Sequence, residues 1–585
     1  MSRKKRQQPN PQQQSIDSVD DIEGKLQQAI SFYQVGQLQQ AEQICQQILR
    51  NFPKQAETLH LLGIIAHQVG DYRIATSLIT QAIEIDPNQS SFFYNVGNAL
   101  REQGKLDESV EAYQQAIHIQ PDHADAYNNL GNVLKEQGKL DESVEAYQQA
   151  IEHQPQFSGA HNNLGVALQE QGRLEESIEV YQKAIEIQPD HADAYYNVGN
   201  ALRKQGRLEE SIEVYQKAIE IQPDHADAYN NLGNVLKEQG KLDESIDTYQ
   251  QAIEIQPDHA DAHKNLGIIL LLKGNLSQGW KEYGWRWKCD DIISKNRDFP
   301  QPSWDGTNLN GKSILVWAEQ GIGDEIMFTS ILPTLSQMTE KTIIECNLRL
   351  VPLFQRSFPQ IQFFSRQNLP HPHLLDENID YQIPMGGLGR WLRTDEDSFE
   401  RSKQSYLTAC TNRSARIRKR YQKLAGGRIL VGISWKSTGI NQKRALLKST
   451  VLEDWKSILS QQDCYFINLQ YGDVKEELTQ LQQQTDLIIY QDEKIDSLRN
   501  LDDFAAQVSA LDLVISTSNT TVHVAGALGK PVWTLLSYVP DWRWMLERED
   551  TPWYPSMRLF RQSETGDWPG IFAQVNSALE QLCIR

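Results

Sequence analysis

Cysteine is scarce and scattered. The six residues, Cys45, Cys289, Cys346, Cys410, Cys464 and Cys583, form no CxxC pair in 585 residues. That spacing speaks against a zinc ribbon or a disulfide framework, and free thiols in a reducing cytoplasm are expected. Positive charge is also short, with 57 Lys and Arg against 77 Asp and Glu, a net charge of −20. Phosphate contacts need a basic surface, so the chain is not expected to be a general binder of nucleic acid or anionic membrane. No apolar run approaches a membrane span. The start, MSRKKRQQPNPQQQ, has no apolar core behind its basic residues, so residues 1–20 read as a disordered tail rather than a signal peptide. There is no Walker sequence, no nucleophile elbow and no convincing metal cluster. His371 and His373 lie in a loop without partners at ligand spacing. Neither metal nor cofactor is expected.

What the chain does have is length beyond one core and a strict internal repeat. Glycine recurs every 34 residues from Gly63 to Gly267, a second glycine series runs from Gly36 to Gly274, and prolines follow from Pro53 to Pro257. This is the period of the tetratricopeptide repeat, and about eight units are expected over 21–288. In one unit, Asp122 can cap helix A (124–137), Gly131 allows close packing, and Gly138 ends the helix in a left-handed cap. Helix B (141–154) buries Val144, Tyr147 and Ala150 before Pro155. Each unit buries its apolar face only against its neighbours, which gives an α-solenoid.

Asn95, Asn129, Asn163, Asn197, Asn231 and Asn265 hold one position of helix A in six successive units. Asn is a poor helix former, so its recurrence calls for a reason. A ladder of amides suits the backbone of an extended protein or peptide acceptor. Inter-repeat hydrogen bonding that holds the solenoid's curvature is the alternative. His123, His191, His225 and His259, one per repeat, read as loop residues.

The register fails after Gly274. Trp280, Tyr283, Trp285 and Trp287 are expected to plug the solenoid against the next domain, and 289–311 to form an ordered linker arm. Alternating strands and helices then predict two α/β lobes, 312–425 and 426–585. In the first, the strand 313–318 runs into Gly321-Ile322-Gly323-Asp324 at a helix start, where glycines let backbone approach a ligand. In the second, the strand 428–435 is followed by a basic loop with Lys436 and Arg444. Near the end, STSNTTVHVAGALGKPVWTLL (516–536) reads strand, polar turn, helix, strand. Asn519, Thr520, Thr521 and His523 can meet a phosphate at the helix start or serve as an ordinary cap. Both strand ends together imply a ligand cleft at the carboxyl edges of two sheets.

The Gly321–Asp324 turn and the run Asn519–Gly529 resemble the heptosyltransferase superfamily of glycosyltransferases. The repeats with their Asn ladder, fused ahead of such a region, resemble the architecture of the protein O-GlcNAc transferases. The resemblance implies a GT-B fold of two Rossmann-like lobes and a nucleotide-diphosphate sugar as donor substrate. On it, Asp324 falls on the proposed base, the alternative being a first-turn acid favoured by the helix dipole; Gly321 and Gly323 fall on the donor-side turn, and Thr520 and His523 on donor-phosphate positions. A basic residue of the Lys436–Arg444 loop would then neutralise the diphosphate leaving group. The heptosyltransferase turn reads Asp-Thr-Gly where this chain has Ser518-Asn519-Thr520. The expectation is a cytoplasmic glycosyltransferase acting on a protein held in the repeat groove. The alternative is a non-catalytic scaffold with a retired or sugar-sensing transferase-like domain.

Overall fold

The computed structural model describes residues 19–290, 296–402, 405–437 and 442–584; side chains at 19–21, 400–402 and 442–444 are outside the description. The expected tail therefore lies, up to residue 18, outside the described residues. Contacts divide the chain into two compact units, one ending at Ala228 and one running from Tyr229 to Arg585.

The first unit is a run of antiparallel helix pairs. Ala124–Glu136 and Leu140–His153 form a representative pair. Its sequence logic is steric. A Cβ on Gly131 would lie 2.6 Å from the Tyr147 ring, so glycine is what lets the buried tyrosine of helix B lie against helix A. The close packing that Gly131 allows is thus between the glycine and a ring. It is fastened at both ends. Ser143 Oγ donates to the Gly131 carbonyl at 2.7 Å, and Tyr147 OH donates to Asn132 Oδ1 at 2.7 Å. Gly138 adopts φ +75°, the left-handed value expected of the cap. The N-cap itself is His123, whose Nδ1 accepts from Ala126 N, rather than Asp122. The first pair, Val19–Gln34 and Leu38–Asn51, has Ala29 where the packing glycine is expected, and Ala29 is fully buried.

The second unit contains the last two helix pairs and two parallel sheets. Strands β1 (Ser313–Trp317), β2 (Lys341–Cys346), β3 (Gln362–Ser365) and β4 (Tyr381–Pro384) lie in the order β3-β2-β1-β4. Strands β5 (Ile429–Ser434), β6 (Cys464–Asn468), β7 (Ile489–Tyr490), β8 (Leu513–Thr517), β9 (Val532–Leu536) and β10 (Met557–Arg561) form the second sheet. Its order is β10-β9-β8-β5-β6-β7. Read from β7, that is the doubly wound order 3-2-1-4-5-6, with the winding direction reversing between β5 and β8. Their register pairs Ser434 with Ser516, so the segments after both strands leave the same edge side by side. In the first sheet the reversal falls between β1 and β4. After Gly321 the chain forms two short helices, Ile322–Phe328 and Leu332–Met338, separated by a 3-10 turn, with Pro333 in the first turn of the second.

The final pair, Ala260–Leu272 and Leu276–Tyr283, packs within this unit. Trp280 is buried against Phe328 and Trp542, and its Nε1 donates to the Arg393 carbonyl at 2.8 Å. Trp285 stacks on His263 with centroids 3.9 Å apart. Arg286, in the 3-10 turn Gly284–Lys288, is buried in an ion pair with Glu319 at 3.2 Å. The aromatic plug expected of this helix is present. The repeat register alone ends the solenoid at 288, whereas contacts place Tyr229 onward with the sheets.

Candidate functional site

A cavity of about 360 Å³ opens at the carboxyl edges of the two sheets. It is lined from the first sheet by Gly321, Gly323 and Asp324, which follow β1, and from the second by Ser518, Asn519, Thr520, Thr521 and His523, which follow β8. Both groups sit beside a reversal of winding, where doubly wound sheets leave a crevice. Eight of the residues singled out in the sequence thus meet in one place.

The close fit has a local cause. A Cβ on Gly323 would lie 2.8 Å from the His523 ring, so glycine is required for the two turns to approach. His523 is buried, donates or accepts at Nδ1 with Tyr554 OH at 2.7 Å, and stacks on Trp544. Burial first, then the charge of Arg543, holds its pKa well below the usual histidine value. The ring is therefore neutral, able to donate or accept one hydrogen bond without bringing charge.

Asn519 caps the eight-residue helix Thr520–Ala527. Its Oδ1 accepts from Thr521 N at 2.9 Å, and its Nδ2 donates to Ser434 Oγ at 2.8 Å and to the Lys436 carbonyl at 3.0 Å. Its side chain is thus committed to holding the β5 and β8 ends together, while Thr520 lines the cavity. Thr521 Oγ1 is buried with no hydrogen-bond partner. Ser518 Oγ accepts from Trp544 Nε1 at 2.9 Å.

Lys436 does not line the cavity. Its Nζ pairs with Glu477 at 2.6 Å. The Arg444 side chain lies outside the described residues. Among the described residues, the cations that line the cavity are Arg349, Lys448 and Arg543, none of which the sequence singled out. Arg543 pairs with Asp324 and donates from Nη1 to Asp541 at 3.0 Å, and Asp541 also pairs with Lys448. Burial opposes charge on Arg543, but Asp324 and Asp541 outweigh it and keep its pKa above the ordinary value. Four side chains thus alternate in sign: Asp324, Arg543, Asp541, Lys448. The only sequence signal for Arg543 is its place in Asp541-Trp542-Arg543-Trp544, a charged residue between two tryptophans. Next to Asp324, burial pushes the Glu325 carboxyl up to about 8, although its Oε2 accepts from Asn347 N at 2.8 Å.

In the solenoid, the asparagine ladder is spent largely on the fold. Asn163 Nδ2 donates to Asn128 Oδ1, Asn197 to Asn162 and Asn265 to Asn230, each at 3.0 Å. Asn129 donates to Asn98 Oδ1 at 3.0 Å, and Asn95 bonds His60 Nε2 at 2.9 Å. Each bond ties one repeat to the one before. Asn231 Oδ1 accepts from Asn230 Nδ2 at 3.3 Å. Each amide has a second N–H and further acceptor capacity for a ligand, but inter-repeat bonding is the role the geometry displays. Among the described residues no group of three or more His, Cys, Asp or Glu is arranged to hold a metal ion, and no helix is long and apolar enough to cross a membrane.

Comparison with known proteins identifies the repeats. A profile described as TPR repeat matches 97–138, 131–172, 168–206, 199–240 and 233–274, and further tetratricopeptide profiles match 23–54, 56–89 and 78–111. Protein FlbA of Caulobacter vibrioides is 32% identical over 314 residues, 52% of this chain and 52% of that protein. The chain therefore spans about half the length of this curated relative. Among solved structures, YrrB, described as a TPR protein with an unusual peptide-binding site, is 25% identical with a TM-score of 0.27, covering 32% of this chain and 95% of its own. MamA is 25% identical with a TM-score of 0.27, covering 28% of this chain and 96% of its own. The chain carries TPR repeats, which form a scaffold for protein–protein interaction, ahead of an α/β region of parallel sheets.

Proposed function

We propose that the α/β region is a GT-B-like glycosyltransferase that moves a sugar from a nucleotide-diphosphate donor to a protein acceptor recruited by the repeats. The observation that carries this reading is the meeting of two distant turns, Gly321–Asp324 and Ser518–His523, in one cavity at the carboxyl edges of two doubly wound sheets. In this reading the diphosphate lies at the start of the helix Thr520–Ala527, against the Thr520 hydroxyl. Lys448 and Arg543 counter the charge of the leaving group. Asp324 takes the proton of the acceptor hydroxyl, the oxygen bonds to the anomeric carbon, and the bond from that carbon to the diphosphate oxygen breaks. Neutral His523 orients the donor.

A second reading, a scaffold whose transferase-like region no longer turns over, has its own support. Asp324 is engaged by Arg543, and Ser518-Asn519 replaces a carboxylate-bearing turn with a capping one. Release of nucleoside diphosphate from a panel of nucleotide sugars separates the two. Release that is lost in Asp324→Ala and in His523→Ala supports the enzyme. Nucleotide binding without turnover, in the presence of cell extract as acceptor source, supports the scaffold.

A further inference from the structure

Building on the reading of the cavity as a diphosphate site, we propose that Arg543 is a positioning residue through which an anionic ligand frees Asp324. The guanidinium that holds Asp324 is the one a phosphate would take.

Arg543 is fixed from both sides. Trp542 is buried among Trp280, Tyr283, Phe328 and Trp553, and Trp544 is buried against His523 with its Nε1 on Ser518. The arginine backbone therefore has little freedom, and what can change is the partner its head group binds. The head group spans Asp324 and Asp541, and its Nε is buried without a hydrogen-bond partner. Lys448 is likewise taken by Asp541. Both cations on this wall of the cavity are thus already neutralised by carboxylates. Arg349, the third, donates to the Leu498 carbonyl and Asn347 Oδ1.

A diphosphate placed against this wall competes directly with the carboxylates. A planar guanidinium binds phosphate through two parallel N–H donors, and a phosphate brings more charge than one carboxylate. Its charge also repels Asp324 at a few ångströms. Ligand binding and release of Asp324 from Arg543 then become one event. The Asp324 carboxylate gains free lone pairs for a hydroxyl proton only when the phosphate-bearing ligand is in place, so donor precedes acceptor.

The test is a double-mutant cycle read by calorimetry with inorganic pyrophosphate on the full chain at fixed ionic strength, with thermal unfolding of each variant as a fold control. Asp324→Asn is expected to tighten pyrophosphate about tenfold, because the ligand no longer displaces a carboxylate. Arg543→Gln weakens it about tenfold. In the Arg543→Gln background there is no ion pair to displace and only the repulsion is removed, so Asp324→Asn then tightens pyrophosphate by clearly less than it does in the native background. Should Asp324→Asn fail to fold, Asp324→Ser replaces it in the cycle. Additive effects overturn the inference, as does unchanged or weaker binding in Asp324→Asn, or no binding in either it or the native chain. Turnover is read separately. A cycle that behaves as stated in a chain that never cleaves a nucleotide sugar removes the transferase reading and leaves the coupling in place.

Discussion

Trp280→Ala tests whether the last repeat is part of the scaffold of the α/β region. The indole is 2% exposed, lies over Gly389 so closely that a Cβ there would be 2.5 Å from the ring, and meets Trp542 edge-on at 5.2 Å. Removing a buried aromatic of this size costs about 3–5 kcal/mol in lost transfer energy and cavity. The Arg393 carbonyl also loses its donor, worth about 1 kcal/mol or more. The total, about 5 kcal/mol, rivals the whole stability of an ordinary domain. Trp280→Phe keeps most of the ring contacts and is expected to recover all but about 1–2 kcal/mol. Guanidinium unfolding gives the loss, and amide hydrogen exchange locates it. Protection should fall at β1 and its neighbours β2 and β4, which share the core beside Phe328, and stay unchanged in the helices before Ala228. The reasoning fails if β1 remains as protected as in the native chain while only Ala260–Tyr283 loosens. The tryptophan would then belong to the solenoid alone.

Two further outcomes rest on buried polar groups. Tyr147→Phe removes the hydrogen bond to Asn132 and should cost about 1 kcal/mol, whereas Tyr181→Phe should be neutral or slightly stabilising. The Tyr181 hydroxyl is buried without a partner because Val166 stands at the position that Asn98, Asn132, Asn200 and Asn234 hold in other repeats; urea midpoints of the two variants compare them. Glu325 has a folded pKa raised by burial from 4.5 to about 8, so its contribution is fully present below pH 4.5 and is lost as pH rises through 8. Glu325→Gln should therefore match the native chain near pH 5 and exceed it by a few kcal/mol near pH 9. A constant difference across that range would contradict the assignment.

The repeat was legible because its constraints fall on the backbone. Gly138 must take a positive φ and Gly131 must leave room for a ring, so both recur along the solenoid. The central strands were legible because a parallel sheet covered on both faces leaves an uninterrupted apolar run, as in Ile429–Ser434. β4 was not, since Tyr381–Pro384 is short, carries a proline, and places Gln382 inside to accept from Trp317 Nε1. The site divides in the same way. Its two turns could be found from glycines and hydroxyls at strand ends, but the same atoms serve a cap or a ligand, and for Asn519 the cap takes them. Lys436 and Lys448 look alike in sequence. One leaves β5 directly and turns to Glu477, while the other comes after the helix Gln442–Leu447 and faces the cavity. Arg543 was hidden for a stronger reason. Its position is fixed by Trp542, and Trp542 is placed by Trp280 and Tyr283 of the final repeat. One three-residue turn thus carries a cation of the cleft on the same backbone that receives the end of the solenoid. The last helix pair, Ala260–Leu272 and Leu276–Tyr283, consequently helps set where Arg543 can hold Asp324, and a boundary drawn at residue 288 would cut through the support of the site.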